Sequence, residues 1–205
     1  MKTCMRRNRR KAVRIAAFVA VVAVSATAGI LAGCQSTSVG IIGGLGKTDV
    51  ISEAKDKKEE QKKLDESRVS KAILERESSG QQEGECVAEG HIILGSGTVN
   101  GCRELYVLTS SGQYAIRGES LVKVSGTGVI PVRMTFDNDG KLLEYKMPRD
   151  GKDYAWSISE MFPEEYTNRA LGEGDDDYAE CMRQERVYAE EYLKSIGRGD
   201  VKIRQ

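Results

Sequence analysis

The chain has 205 residues, with 31 Lys plus Arg against 31 Asp plus Glu, a single His and five Cys. Its balance is uneven: Lys2, Arg6, Arg7, Arg9, Arg10, Lys11 and Arg14 crowd the start, leaving 24 basic against 31 acidic residues from position 34 onward, a net charge of −7. An acidic body of that kind lacks the clustered positive charge that nucleic-acid backbones require, and its length allows one domain of ordinary size plus a spacer.

After the basic head, no charged residue occurs from Ile15 to Gly33, and the stretch is rich in Ala, Val, Ser and Thr. This is the profile of an export signal. Its end, Leu31-Ala32-Gly33-Cys34, resembles the lipobox of bacterial lipoprotein precursors. The resemblance implies cleavage between Gly33 and Cys34, a diacylglycerol on the Cys34 thiol and, in diderm bacteria, acylation of its new amino group. At about 0.8 kcal/mol per buried methylene, one chain holds marginally while two or three hold durably. The alternative is an uncut span, since the run approaches the roughly 20 apolar residues that cross a bilayer. Both readings put everything after residue 34 outside the cytoplasm. The early Arg pairs are not followed by Phe-Leu-Lys, which sets twin-arginine export aside. Gln35, in place of the aspartate that retains such lipoproteins in the inner membrane, points to the outer membrane.

Residues 34–50 read as a lipid-proximal flexible tether of Ser, Thr, Gly and Ile. Gly46-Lys47-Thr48 imitates a phosphate loop, but Ile41 stands where the first glycine belongs. Residues 51–84 alternate acidic and basic blocks, with pairs such as Glu59–Lys63 at helical spacing. Ala54, Leu64, Val69, Ala72 and Ile73 do not sustain a heptad, so the expectation is a solvated spacer helix about 40 Å long.

A small α+β domain is expected over 85–197, an antiparallel sheet followed by helices on one of its faces, with 198–205 as a tail. The candidate strands are His91–Leu94, Glu104–Thr109, Gln113–Arg117, Leu121–Val124, Ile130–Phe136 and Leu142–Met147. Ser111-Gly112 and Asp137-Asn138-Asp139-Gly140 supply turns. Val132, Met134 and Phe136 alternate with Arg133 and Thr135, as in a sheet covered on a single side. Tyr154, Ile158, Met161 and Phe162 form a helical stripe, Pro163 opens a second segment, and a third runs from Asp175–Asp177 through Tyr178, Cys181, Tyr192 and Ile196 to Gly197.

Little among these residues forms a reactive set. His91 lies on a strand, and a hydrolase would need it paired with a nucleophile and an acid; a structural histidine is the simpler reading. Of the cysteines outside the leader, Cys86 with Cys102 would close a loop of about 15 residues, worth about 3 kcal/mol, while Cys181 suits a buried helix position; other pairings stay open. No zinc spacing exists, so no metal site is assigned. Gly95, Gly97 and Gly101 miss the dinucleotide spacing and read as a turn. Asp137, Asp139 and Gly140 echo a calcium loop, yet Thr135 and Lys146 fill ligand positions. Asp175, Asp176 and Asp177 read as a helix cap rather than a cation site. Trp156, Tyr154 and Phe162 read as core rather than as a ligand patch.

The order of strand, turn, strand and helix around Val129–Leu142 is similar to TonB carboxy-terminal domains, and it carries over no site. The expected function is a lipid-anchored envelope protein whose role is binding or accessory, with the bilayer and another envelope protein or a cell-wall component as partners, no cofactor beyond the lipid on Cys34, and no nucleic acid. The rival expectations are an envelope hydrolase using His91 and an inhibitor of host or competitor hydrolases.

Overall fold

Three long strands, β1 (Cys86–Val99), β2 (Cys102–Arg117) and β3 (Ser120–Phe136), form an antiparallel meander continued by β4 (Leu142–Lys146). They belong to a computed structural model that describes residues 48–79, 84–172 and 175–204. Gly33, Cys34 and the expected tether up to residue 47 lie outside these. Val99 pairs with Cys102 across Asn100-Gly101, both at positive φ (51° and 80°), the backbone of a two-residue turn whose twist suits a hairpin. A fifth strand, β5 (Lys202–Arg204), lies parallel to the start of β3. Four helices complete an α+β fold: α1 (Thr48–Ser79), α2 (Tyr154–Met161), α3 (Glu164–Ala170) and α4 (Asp175–Ser195), with a 3-10 turn at Gly151–Asp153 before α2.

Helices cover both faces of the sheet, not one. Val132, Met134 and Phe136 do share a face, and with Leu105 and Val107 they pack beneath Val69, Ala72 and Ile73 of α1. The opposite face carries Leu94, Tyr106 and Leu108 against Ile158, Met161 and Phe162 of the α2 region and Cys181 of α4. Further along, Ala88, Tyr114 and Leu121 meet Ala189, Leu193 and Val201. Each such Val, Leu, Ile or Phe, removed from water, contributes about 1.5–3 kcal/mol.

The charged helix exists, but only its first half is solvated. From Ala54 to Leu64 it is exposed apart from a half-buried Gln61, and then Asp65, Val69, Ala72 and Ile73 recur at i, i+4, i+7 and i+8 as a buried stripe. A carboxylate inside that stripe hides it from a purely apolar count. Asp65 is answered by the guanidinium of Arg103, with Nε 3.2 Å from Oδ2, and more distantly by Arg68. Residues 48–64 therefore project past the Asn100–Gly101 end of the sheet by about 25 Å at the helical rise.

Ser111-Gly112 is not a turn. β2 runs through it, with register shifts at Thr109/Ser111 and Gln113/Tyr114. The glycine is needed for close approach: a Cβ on Gly112 would lie 2.6 Å from Lys123 Cε and 2.7 Å from Glu185 Oε1. Gly95 and Gly97 likewise fall inside β1, and only Gly101 sits in the turn. The expected turn at Asp137–Gly140 forms, with Asp137 Oδ1 accepting the backbone N–H of Asp139 and Lys141.

The Cys86–Cys102 disulfide is also corrected. Because the hairpin turns at residues 100–101, Cys86 and Cys102 begin successive strands at opposite ends of the ladder, on the order of 40 Å apart at 3.3 Å per residue. A bridge needs Cα atoms within about 7 Å. Cys86, Cys102 and Cys181 are all free thiols. The aromatic trio divides too: Phe162 is buried and Tyr154 packs beside the core, whereas Trp156 is 53% exposed with Arg149 stacked over its ring.

Candidate functional site

β1 places Glu89 and His91 on the same face, two residues apart, and α1 lays Glu66 over them. His91 Nδ1 is 2.9 Å from Glu89 Oε2 and its Nε2 is 2.7 Å from Glu66 Oε2. Burial alone would push the imidazole toward its neutral form. The hydrogen bonds and charges of Glu66 and Glu89 outweigh that and raise its pKa to about 9. The ring is therefore an imidazolium at neutral pH with both N–H groups donating to carboxylates. A general base needs an unprotonated nitrogen facing the proton it removes, and here neither is free. The arrangement acts as an ionic staple between α1 and β1.

Polar residues continue along this face beneath the end of α1. Ser111 Oγ donates to Glu77 Oε1 at 3.0 Å and lies 3.0 Å from Thr127 Oγ1, while Gln113 Nε2 donates to the Glu77 carbonyl at 3.2 Å. Arg76 stacks over Tyr145 and donates to Met147 Sδ. Val69, Ala72 and Ile73 together with this polar fringe hold the helix down.

A second buried charge sits on the other face. Glu185 of α4, 1% exposed, accepts hydrogen bonds from Tyr114 Oη at 2.6 Å and from Ser110 Oγ, and Lys123 Nζ lies 2.9 Å from its Oε1. Lys123 also donates to the Thr127 carbonyl. Each carboxylate oxygen is thereby satisfied, which is the condition for keeping such a charge inside. Gln184, one residue earlier, accepts the backbone N–H of His91 through Oε1 at 2.9 Å and caps that point on the edge of β1.

The remaining candidates are engaged locally. Asp177 forms a two-pronged pair with Arg169, at 2.8 and 2.9 Å, which fastens α4 to α3. Burial pushes the Cys86 and Cys181 thiols up to about 12, so both stay protonated and unreactive at neutral pH. Among the described residues no group of three or more His, Cys, Asp or Glu side chains is placed to hold a metal ion, and no helix is long and apolar enough to cross a membrane.

The sequence singled out His91 but missed Glu66, Glu89, Lys123 and Glu185. The period of two along a strand could have joined Glu89 to His91. No local signal could have brought in Glu66 or matched Lys123 with Glu185, because those contacts depend on how α1 and α4 dock. Comparison of the chain with protein-family models, with curated proteins and with solved structures finds no match.

Proposed function

We propose that this chain is a lipid-anchored lipoprotein of the bacterial envelope whose domain binds another envelope protein or a cell-wall component without catalysing a reaction. The observation that carries the reading is the lipobox-like Leu31-Ala32-Gly33-Cys34 followed closely by a helix that is solvated first and docked second. The exposed half of α1 would hold the sheet clear of a surface, and the half docked on the sheet makes that helix part of the folded domain. Gln35 favours the outer membrane as the site of anchoring. The engagement of both His91 nitrogens by carboxylates weighs against the hydrolase alternative built on that residue.

The test is intact-mass analysis of the protein purified from membranes. The expected mass is that of a chain beginning at Cys34 and carrying two or three acyl groups, and Cys34→Ser should yield an unacylated chain released from the membrane fraction. An uncut leader with a free thiol at Cys34 would overturn the proposal.

A further inference from the structure

The parallel pairing of β5 with β3 assembles a cationic concavity where β2, β3 and β5 meet. Ser120 is opposite Arg117 on one side and Lys202 on the other, and Val122 is opposite Arg204. Leu121 and Ile203 from the alternate positions pack toward α4, so Arg117, Ser120, Lys202 and Arg204 stand on the other face of the sheet. α1 makes its last side-chain hydrogen bond on that face at Gln113 Nε2 and does not cover them. Together with Glu119 and Asp200 these four residues line a hollow of about 470 Å³.

Its charge is unbalanced. Arg117, Lys202 and Arg204 make no ion pair among the described residues. Asp200 is taken by Arg198, with Nε 3.3 Å from Oδ1, so Glu119 is the one lining carboxylate with no cation partner among the described residues. The Ser120 hydroxyl makes no hydrogen bond among them either. Three cations against one unpaired carboxylate leave a surplus of positive charge at the surface of an otherwise acidic body, which an anion in the hollow would offset. Two guanidinium groups, an ammonium and a hydroxyl offer more donors than the two oxygens of a carboxylate accept, and they suit a tetrahedral oxyanion.

We infer that this hollow is a binding site for a phosphate group, presented free or as the diester of a headgroup. It does not depend on the Cys34 anchor, since every residue in it belongs to the sheet, the β2–β3 turn or the closing segment before and in β5.

The test uses the full-length protein in non-ionic detergent micelles, followed by amide NMR during titration with inorganic phosphate and, separately, with glycerophosphoglycerol. Saturable shifts confined to Arg117–Leu121 and Lys202–Arg204 are expected. Arg117→Gln combined with Arg204→Gln should weaken binding by about tenfold or more. Lys202→Gln alone should weaken it less, and Lys71→Gln, on the far surface of α1, should leave it unchanged. Tighter binding of phosphate would assign a soluble ligand, and tighter binding of the diester a lipid or polymer headgroup. Absence of saturable shifts at millimolar ligand, or equal binding by the double variant with its amide spectrum otherwise intact, would overturn the inference.

Discussion

Gly90 of β1 and Cys181 of α4 touch backbone to backbone: a Cβ built on Gly90 would lie 2.0 Å from the Cys181 carbonyl oxygen and 2.8 Å from the Glu185 amide nitrogen. α4 can pack this close only because position 90 has no side chain. Gly90→Ala forces the helix outward from both the Glu185 cluster and the Gln184 cap on β1. We expect a loss of about 3 kcal/mol or more in denaturant unfolding, well beyond the usual cost of a methyl group at an exposed strand position. A midpoint shift no larger than that of an exposed Gly-to-Ala change in the same strand would show that α4 is not held at this distance.

His91 makes stability depend on pH in the alkaline direction. Its pKa rises from the ordinary 6.5 in the unfolded chain to about 9 in the folded one, so the protonated ring stabilises the fold. That stabilisation is complete below pH 6.5 and disappears as pH climbs through 9, amounting to about 2 kcal/mol after allowance for the partly exposed Glu66. Unfolding free energies measured from pH 6 to 10 should decline across this window, and His91→Gln should begin lower and stay flatter. Parallel curves for the two proteins would remove the ionic staple from the account.

Glu185 should tolerate truncation poorly. Glu185→Ala leaves the Lys123 ammonium and the hydroxyls of Ser110 and Tyr114 without their common acceptor, at a cost of about 3 kcal/mol or more. In the background of Lys123→Met the same truncation should cost clearly less, since the stranded cation is gone. Additive losses in the double variant would show that the two side chains act independently.

The three cysteines among the described residues should differ in reactivity. Cys86 and Cys181 are buried, with pKa values near 12, whereas Cys102 is partly exposed beside the hairpin turn. Among these three, iodoacetamide applied to the native protein without reductant should label only Cys102, and denaturation should release Cys86 and Cys181 for labelling. Recovery of a peptide linking Cys86 to Cys102 would contradict the strand register itself.

Some of this architecture could be read residue by residue, and some could not. The Asp137–Gly140 turn and the end of α4 were legible because their causes are local. At the latter, Arg198 N–H bonds to the Leu193 carbonyl and Gly197 N–H to that of Lys194, the paired closure that glycine after a helix invites. Ser111-Gly112 misled because glycine serves turns and close contacts alike, and only the position of Glu185 and Lys123 separates the two uses. α1 misled because Asp65 interrupts its apolar stripe, and its compensating Arg103 lies on a strand far along the chain.

The sequence by itself determined the α+β class, the charged helix ahead of the strands and the segregation of charge between the head of the chain and the rest, since each follows from spacing and composition over a few neighbouring residues. Only the tertiary structure decided which charges face one another. His91 lies between Glu66 and Glu89, Glu185 beneath Tyr114, and Arg117 in a row with Ser120 and Lys202. The physical reason is range: helix and strand preferences act through the adjoining backbone, whereas the partner of a buried or clustered charge is fixed by sheet register and by helices packing on both faces.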